Sequence, residues 1–138
     1  SGKNTDLEKL IRVLKINNIK NIKLPVSAPF HCELMRNATE IMRKELEKTN
    51  FSETRNLLIS NVTAAEIKNK DELKKLLIDQ IVKRVRWRES VLNMISQDVN
   101  QFIEIGPGKV LSGLIKRIDK NVKINTINSE NDIKELRI

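Results

Sequence analysis

The sequence predicts an α/β fold with a parallel sheet, because strand-like segments alternate along the chain with segments whose apolar residues recur at helical spacing. Residues 57–60 form a short apolar run, which is typical of a strand buried on both faces. Residues 102–105 form another, and a Gly-Pro-Gly turn leads from it into a further helical pattern. Parallel sheets bind ligands at the carboxyl ends of their strands, so function is expected in the loops there. These loops are residues 25–31, 60–63 and 106–108.

The first helix is predicted to start at a capping box formed by residues 5–8, Thr-Asp-Leu-Glu. Its apolar residues fall on one face: Leu7, Leu10, Ile11 and Leu14. Asn17 and Asn18 end this helix. Residues 19–24 then alternate apolar and polar in the manner of a strand, and residues 25–30, with two prolines, predict a turn.

Three more helices are predicted between residues 31 and 100. The first has an inner face formed by Leu34, Ala38, Ile41, Met42 and Leu46. The second begins at Asp71, with the inner residues Leu73, Leu76, Leu77, Gln80 and Ile81. The third follows a break near residues 83–84 and carries Trp87, Val91, Met94 and Ile95. After residues 102–105 we expect a helix with Val110, Leu111, Leu114, Ile115 and Ile118, a strand at 122–127 and a short terminal helix.

The chain is basic, with 26 Lys and Arg against 18 Asp and Glu and a net charge of +8. Heavy use of Lys, Asn and Ile is typical of an AT-rich genome, so the charge indicates either codon bias or a basic surface for an acidic partner. Nucleic acid is disfavoured as that partner, because aromatic residues make up only 3% of the chain, Tyr is absent, and the basic residues are dispersed.

One cysteine and one histidine exclude an internal disulfide and a multi-cysteine zinc site. The sequence has no carboxylate cluster that would indicate a metal, so we expect neither a metal nor a cofactor. It also has no apolar run near the roughly 18 residues needed to span a membrane. No signal peptide is recognisable, and the single cysteine suits a reducing compartment. We therefore expect a cytoplasmic protein that binds no membrane.

Three side chains could carry chemistry. His31, the only histidine, is either a surface residue at a helix start or a general base, since imidazole exchanges protons near neutral pH. A dyad of His31 with Cys32 is disfavoured, because adjacent side chains usually point apart. Gln80 lies on an apolar helix face, where it either reaches solvent or presents an acceptor to a catalytic group. Residues 106–109, Gly-Pro-Gly-Lys, lack the spacing of a phosphate loop and predict a tight turn.

Four segments, taken together, resemble the malonyl-CoA:acyl carrier protein transacylases in order and spacing. Residues 24–35, LPVSAPFHCELM, are similar to the family's catalytic-histidine segment, and residues 60–64, SNVTA, to its next strand-end loop. Residues 79–91 contain a glutamine followed by VRWRESV, and residues 102–115 contain the closing GPGKVL signature. The sequence departs from the family at Arg84, where proline is usual.

The resemblance implies the C-terminal part of an α/β-hydrolase-like acyltransferase core, at residues 24–138, preceded by the end of an inserted ferredoxin-like subdomain, at residues 1–23. It also implies transfer of a malonyl group from malonyl-CoA to acyl carrier protein in fatty acid biosynthesis, through a malonyl-serine intermediate. The full-length protein is expected to be a monomer. The family's GHSxG nucleophile segment and its malonyl-binding arginine are not matched in this sequence, so the chain alone is expected to be inactive. The alternative is a non-catalytic fragment that docks the carrier protein.

The resemblance also assigns roles to site residues. It implies that His31 is the catalytic base and that Gln80 orients it through its backbone carbonyl. Asn61 is expected to line the same pocket and contact substrate. Phe30 is expected to leave little room for a methyl branch on the acyl group.

Overall fold

The structure is a computed structural model that describes residues 1–136, and it divides into two compact units, Ser1–Val85 and Arg86–Ile138. The helices are α1 (Asn4–Ile16), the short 3-10 helix η1 (Glu33–Met35), α2 (Arg36–Lys48), α3 (Lys70–Val82), α4 (Trp87–Ser96), α5 (Val110–Ile118) and α6 (Glu130–Glu135). The strands are β1 (Gln101–Ile105) and β2 (Lys123–Ile127). The α/β class predicted from the sequence is confirmed. The predicted boundary between residues 23 and 24 lies inside the first unit and stays a prediction.

Helix α1 ends where the sequence predicts but begins differently. Its N-cap is Lys3, whose side chain accepts no capping hydrogen bond, and Thr5 lies inside the helix. The predicted capping box is therefore wrong. At the other end, Asn17 donates its backbone N–H to Val13, and Asn18 adopts a left-handed conformation with φ of 54°. Asparagine tolerates that conformation better than most residues, which explains why the helix stops here.

Two predicted strands in the first unit are wrong. Residues 19–24 form no ladder with any other part of residues 1–136. Within residues 1–136, residues 57–60 pair with no parallel strand, and Ile59 makes an isolated antiparallel bridge with Glu66. A β-strand needs a neighbouring strand to which it is hydrogen-bonded. An apolar pattern describes the side chains of a segment and does not show whether such a neighbour is present.

The helices of the first unit bury fewer residues than their apolar stripes predict. Helix α2 packs against α3, and its buried residue is Thr39, whereas Ile41 and Met42 of the predicted inner face are exposed. In α3 the buried residues are Leu76 and Ile78, while Leu77 lies towards solvent. The stripes identified the helices correctly but misassigned part of their inner faces.

The second unit has a hydrophobic core of its own. Val91, Ile115 and Val122 are buried at its centre. Six partly buried apolar residues pack against them: Trp87, Met94, Ile95, Phe102, Ile118 and Ile124. Strands β1 and β2 pair in parallel, from Gln101 opposite Lys123 to Ile105 opposite Ile127, and α5 connects them. The parallel βαβ arrangement predicted for this part of the chain is confirmed.

Replacing Ile115 by alanine should lower the free energy of unfolding by about 2–5 kcal/mol, because the side chain is only 4% exposed and its loss leaves a cavity. Denaturant unfolding followed by fluorescence of Trp87, the only tryptophan, measures this in the second unit. Ile133→Ala is the matched control, since that side chain is 59% exposed and should change stability by less than about 0.5 kcal/mol. Equal losses in the two variants would contradict the assigned core.

Candidate active site

His31 lies at the end of the turn that precedes η1, with a left-handed backbone (φ of 58°) and an exposed side chain. Such a conformation costs a non-glycine residue about 1–3 kcal/mol and persists only where the surroundings hold it. The imidazole Nδ1 lies 2.7 Å from the backbone carbonyl oxygen of Gln80. A carbonyl oxygen only accepts, so Nδ1 carries the proton in this hydrogen bond. In the neutral ring Nε2 then carries the lone pair that a general base uses.

The acceptor for His31 comes from the C-terminal end of a helix. Gln80 is two residues from the end of α3 (Lys70–Val82), among the last four carbonyls of that helix. This end of a helix carries a partial negative charge. The structure thus supplies the backbone contact between His31 and Gln80 that the family resemblance implies. The catalytic roles of both residues stay predictions.

The Asn61 loop, residues 60–65, brings Asn61, the third predicted site residue, close to the side chain of Gln80. The buried Ser60 accepts through Oγ from the backbone N–H of Val62, at 3.1 Å, and through its carbonyl from Ala64, at 2.8 Å. Ala64 is itself buried and left-handed, with φ of 57°. Asn61 Nδ2 lies 3.4 Å from Oε1 of Gln80. Asn61, Gln80 and His31 therefore form a connected series of hydrogen bonds.

Phe30 and Cys32 flank the histidine but do not join this series. Phe30 is half exposed, and its predicted contact with the acyl group stays a prediction. Cys32 Sγ donates to the carbonyl of Pro29 at 3.1 Å, so thiol and imidazole engage different carbonyls, as expected for adjacent residues. A hydrogen bond with the Ser1 side chain, followed by the backbone of Leu34, lowers the pKa of the Cys32 thiol.

The third predicted loop belongs to the second unit. Gly106 and Gly108 have φ of 130° and 97°, which only glycine adopts readily, so the predicted tight turn is present. The carboxylate of Glu104 accepts from the backbone N–H groups of Leu111, at 3.1 Å, and Ser112, at 2.7 Å. These donors at the start of α5 are the ones that a phosphate would use, so the turn is not a phosphate loop.

Ser60 and Glu104 were missed by the sequence analysis, although both organise predicted loops. Ser60 has a recognisable signal, since a serine often accepts hydrogen bonds from the backbone N–H groups two and three residues later. Glu104 has a weaker one, because its helix-capping role depends on a turn that brings β1 back to α5. Over residues 1–136, no three His, Cys, Asp or Glu side chains are grouped to hold a metal ion. In the same residues no helix has the length and apolar character to cross a membrane.

The α/β fold class is the one expected for the C-terminal part of an acyltransferase core. No family model matches the chain. The malonyl CoA-acyl carrier protein transacylase of Bacillus subtilis (strain 168) is 38% identical over 146 aligned residues, which cover 96% of this chain and 46% of that protein. The resemblance read from the sequence is confirmed, and the chain matches the C-terminal part of malonyl CoA-acyl carrier protein transacylases.

Solved structures agree with this assignment. The crystal structure of the malonyl CoA-acyl carrier protein transacylase from Clostridium perfringens has a TM-score of 0.87 and 37% identity, covering 94% of this chain and 41% of that one. A malonyl-transacylase in complex with its type II PKS acyl-carrier protein has a TM-score of 0.88 and 30% identity, covering 96% and 43%. The chain therefore spans less than half the length of these relatives.

The Glu104 cap predicts a dependence of stability on pH. The nearby hydroxyl of Ser112, and then the hydrogen bond from the backbone N–H of Ser112, lower the pKa of Glu104 from its ordinary value of 4.5. The cap therefore stabilises the second unit fully above pH 4.5, and this contribution is lost as the pH falls through the lowered pKa.

Glu104→Gln should destabilise the second unit at neutral pH, and its difference from the unmodified chain should shrink below pH 4.5. Thermal unfolding at a series of pH values measures this, with the exposed Glu135→Gln as the control. A difference that is constant from neutral to acidic pH would show that the carboxylate does not act as a charged cap.

Proposed function

We propose that this chain acts as the histidine-bearing part of an acyltransferase that moves the malonyl group of malonyl-CoA to the phosphopantetheine thiol of acyl carrier protein in fatty acid biosynthesis. The observation that carries the proposal is the 2.7 Å hydrogen bond from His31 Nδ1 to the Gln80 carbonyl. It leaves Nε2 of an exposed imidazole able to accept a proton. The names of the relatives supply the malonyl group and the carrier protein as substrates.

The proposed reaction has two half-reactions in which His31 moves protons. In the first, Nε2 takes the proton of a serine hydroxyl as the oxygen attacks the malonyl thioester, and His31 then protonates the departing coenzyme A thiolate. In the second, Nε2 takes the proton of the carrier thiol as its sulfur attacks the malonyl-serine ester, and returns a proton to the serine oxygen. By family resemblance this serine belongs to a GHSxG segment, which does not occur in these 138 residues.

The proposal assigns positions around the imidazole. The Gln80 carbonyl, in the last turn of α3, accepts the Nδ1 proton of His31 and thereby fixes the tautomer of the ring. Phe30, next to His31 and half exposed, limits the size of the acyl group. Asn61 lies in the same cluster.

We also propose a cytoplasmic protein, monomeric at full length, that binds neither nucleic acid nor membranes. A single cysteine suits a reducing compartment, and the dispersed positive charge and 3% aromatic content do not suit base stacking.

A second candidate is a non-catalytic fragment that docks the carrier protein. The net charge of +8 favours it, because carrier proteins are usually acidic. The two candidates differ in whether His31 matters, since docking through surface charge does not need an imidazole.

His31→Ala should lower the turnover number by about 10²–10⁴-fold, because it removes the base from both half-reactions. The assay uses a chimera in which this chain replaces the corresponding C-terminal part of the Bacillus subtilis relative. Gln80→Ala should do far less harm, since the main-chain carbonyl remains, and Asn37→Ala on the exposed side of α2 serves as the control. A loss of less than about tenfold for His31→Ala would remove His31 from the mechanism.

Phe30→Ser should relax discrimination against methylmalonyl-CoA by about tenfold, if the ring excludes the methyl branch. The quantity to measure in the chimera is the ratio of kcat/KM for malonyl-CoA to kcat/KM for methylmalonyl-CoA. Phe30→Leu retains most of the bulk and should keep the ratio close to its original value. An unchanged ratio in Phe30→Ser would place the selectivity elsewhere.

A further inference from the structure

We propose that Asn61 is a positioning residue: its side-chain amide holds the Gln80 side chain and thereby fixes the carbonyl that keeps His31 in the Nδ1–H tautomer. This inference rests on the proposed function in so far as that tautomer serves acyl transfer. The family resemblance led us to expect that Asn61 contacts the substrate. The proposal instead has Asn61 act on His31 through Gln80.

Gln80 connects Asn61 to His31, because it contacts each of them through a different oxygen atom. Gln80 uses its side-chain Oε1 towards Asn61, at 3.4 Å, and its main-chain oxygen towards His31, at 2.7 Å. The first contact is long for an N–H···O hydrogen bond, so its effect is modest, and the second is short and determines the tautomer. A shift of Gln80 is therefore transmitted directly to the imidazole.

Within residues 1–136 the His31 ring hydrogen-bonds to the Gln80 carbonyl, so its orientation depends on the position of that carbonyl. The side chain is exposed, and the backbone is in the left-handed region. Helix ends also fray unless side chains tie them down, and Gln80 lies in the last turn of α3. A contact to the Gln80 side chain restrains the turn that presents the carbonyl.

The Asn61 loop is well suited to provide that restraint. Ser60 is only 5% exposed, and its hydroxyl, N–H and carbonyl are all hydrogen-bonded within the loop. Ala64 is held in a left-handed conformation, where a non-glycine residue stays only if its neighbours determine it. Asn61 is thus presented by a loop whose conformation is held by several internal hydrogen bonds.

The imidazole of the isolated 138-residue chain reports the effect directly, because His31 is the only histidine and its ring signals need no assignment. Nitrogen-15 NMR measures the share of the Nδ1–H tautomer and the solvent exchange of that proton. Asn61→Ala and Gln80→Met remove the same contact from its two sides. Each should reduce the ratio of Nδ1–H to Nε2–H tautomer by about threefold to tenfold, the effect of losing one neutral hydrogen bond.

Asn37→Ala, on exposed α2 surface, should leave the ring signals unchanged. An unchanged tautomer ratio in a folded Asn61→Ala chain would overturn the proposal, as would a change in Asn61→Ala without one in Gln80→Met. If the amide spectrum shows that Asn61→Ala does not fold, Gln80→Met decides alone, because it keeps the main-chain carbonyl and removes only the side-chain acceptor.

Kinetics of the chimera with the Bacillus subtilis relative separate positioning from substrate binding. Asn61→Ala should lower kcat by about threefold to tenfold with KM for malonyl-CoA unchanged, and should have no further effect when combined with His31→Ala. A raised KM with unchanged kcat would place Asn61 on the substrate and overturn the proposal. If His31→Ala itself leaves activity intact, the proposed function fails, while the tautomer measurement still decides the role of Asn61.

Discussion

The hydrogen bond between His31 Nδ1 and the Gln80 carbonyl is the constraint on which the candidate site depends. It joins two positions that are 49 residues apart, and it compensates for the lack of burial around an exposed ring. Because the acceptor is a carbonyl, the bond selects one tautomer without introducing a formal negative charge. The helix end behind it contributes a partial charge instead, which is weaker than a carboxylate and fixed in direction by the backbone.

The two units differ in how their residues are buried, and this explains most of the differences from the sequence predictions. In the second unit Val91, Ile115 and Val122 are buried by neighbours that follow one another closely along the chain, so local patterns sufficed to predict α4, β1, α5 and β2. In the first unit, residues 19–24 and 57–60 carry strand patterns but lack a ladder within residues 1–136. Apolar periodicity indicates which side chains can be buried, but it does not indicate which part of the protein covers them.

The candidate site, like the fold, could be predicted only in part from the sequence. His31 could be singled out as the only histidine, and the family resemblance added Gln80, Asn61 and Phe30. The left-handed backbone of His31 could not be predicted, because this conformation is uncommon for any residue other than glycine, even though histidine adopts it more often than most. The link from Asn61 to the Gln80 side chain was also beyond reach, since it depends on where a loop and a helix end meet.

The main-chain origin of the acceptor affects how this kind of site can be detected in other proteins. A histidine base is usually sought together with an aspartate or glutamate, whereas the hydrogen-bond partner of His31 within residues 1–136 is a main-chain carbonyl. Here the acceptor is a main-chain carbonyl at a helix end, and the side chain of residue 80 acts on it only indirectly, through its contact with Asn61. The feature to look for is a helix terminus directed at a histidine, which requires a structure rather than an alignment. Enzymes classified as lacking a third catalytic group could be re-examined with that criterion.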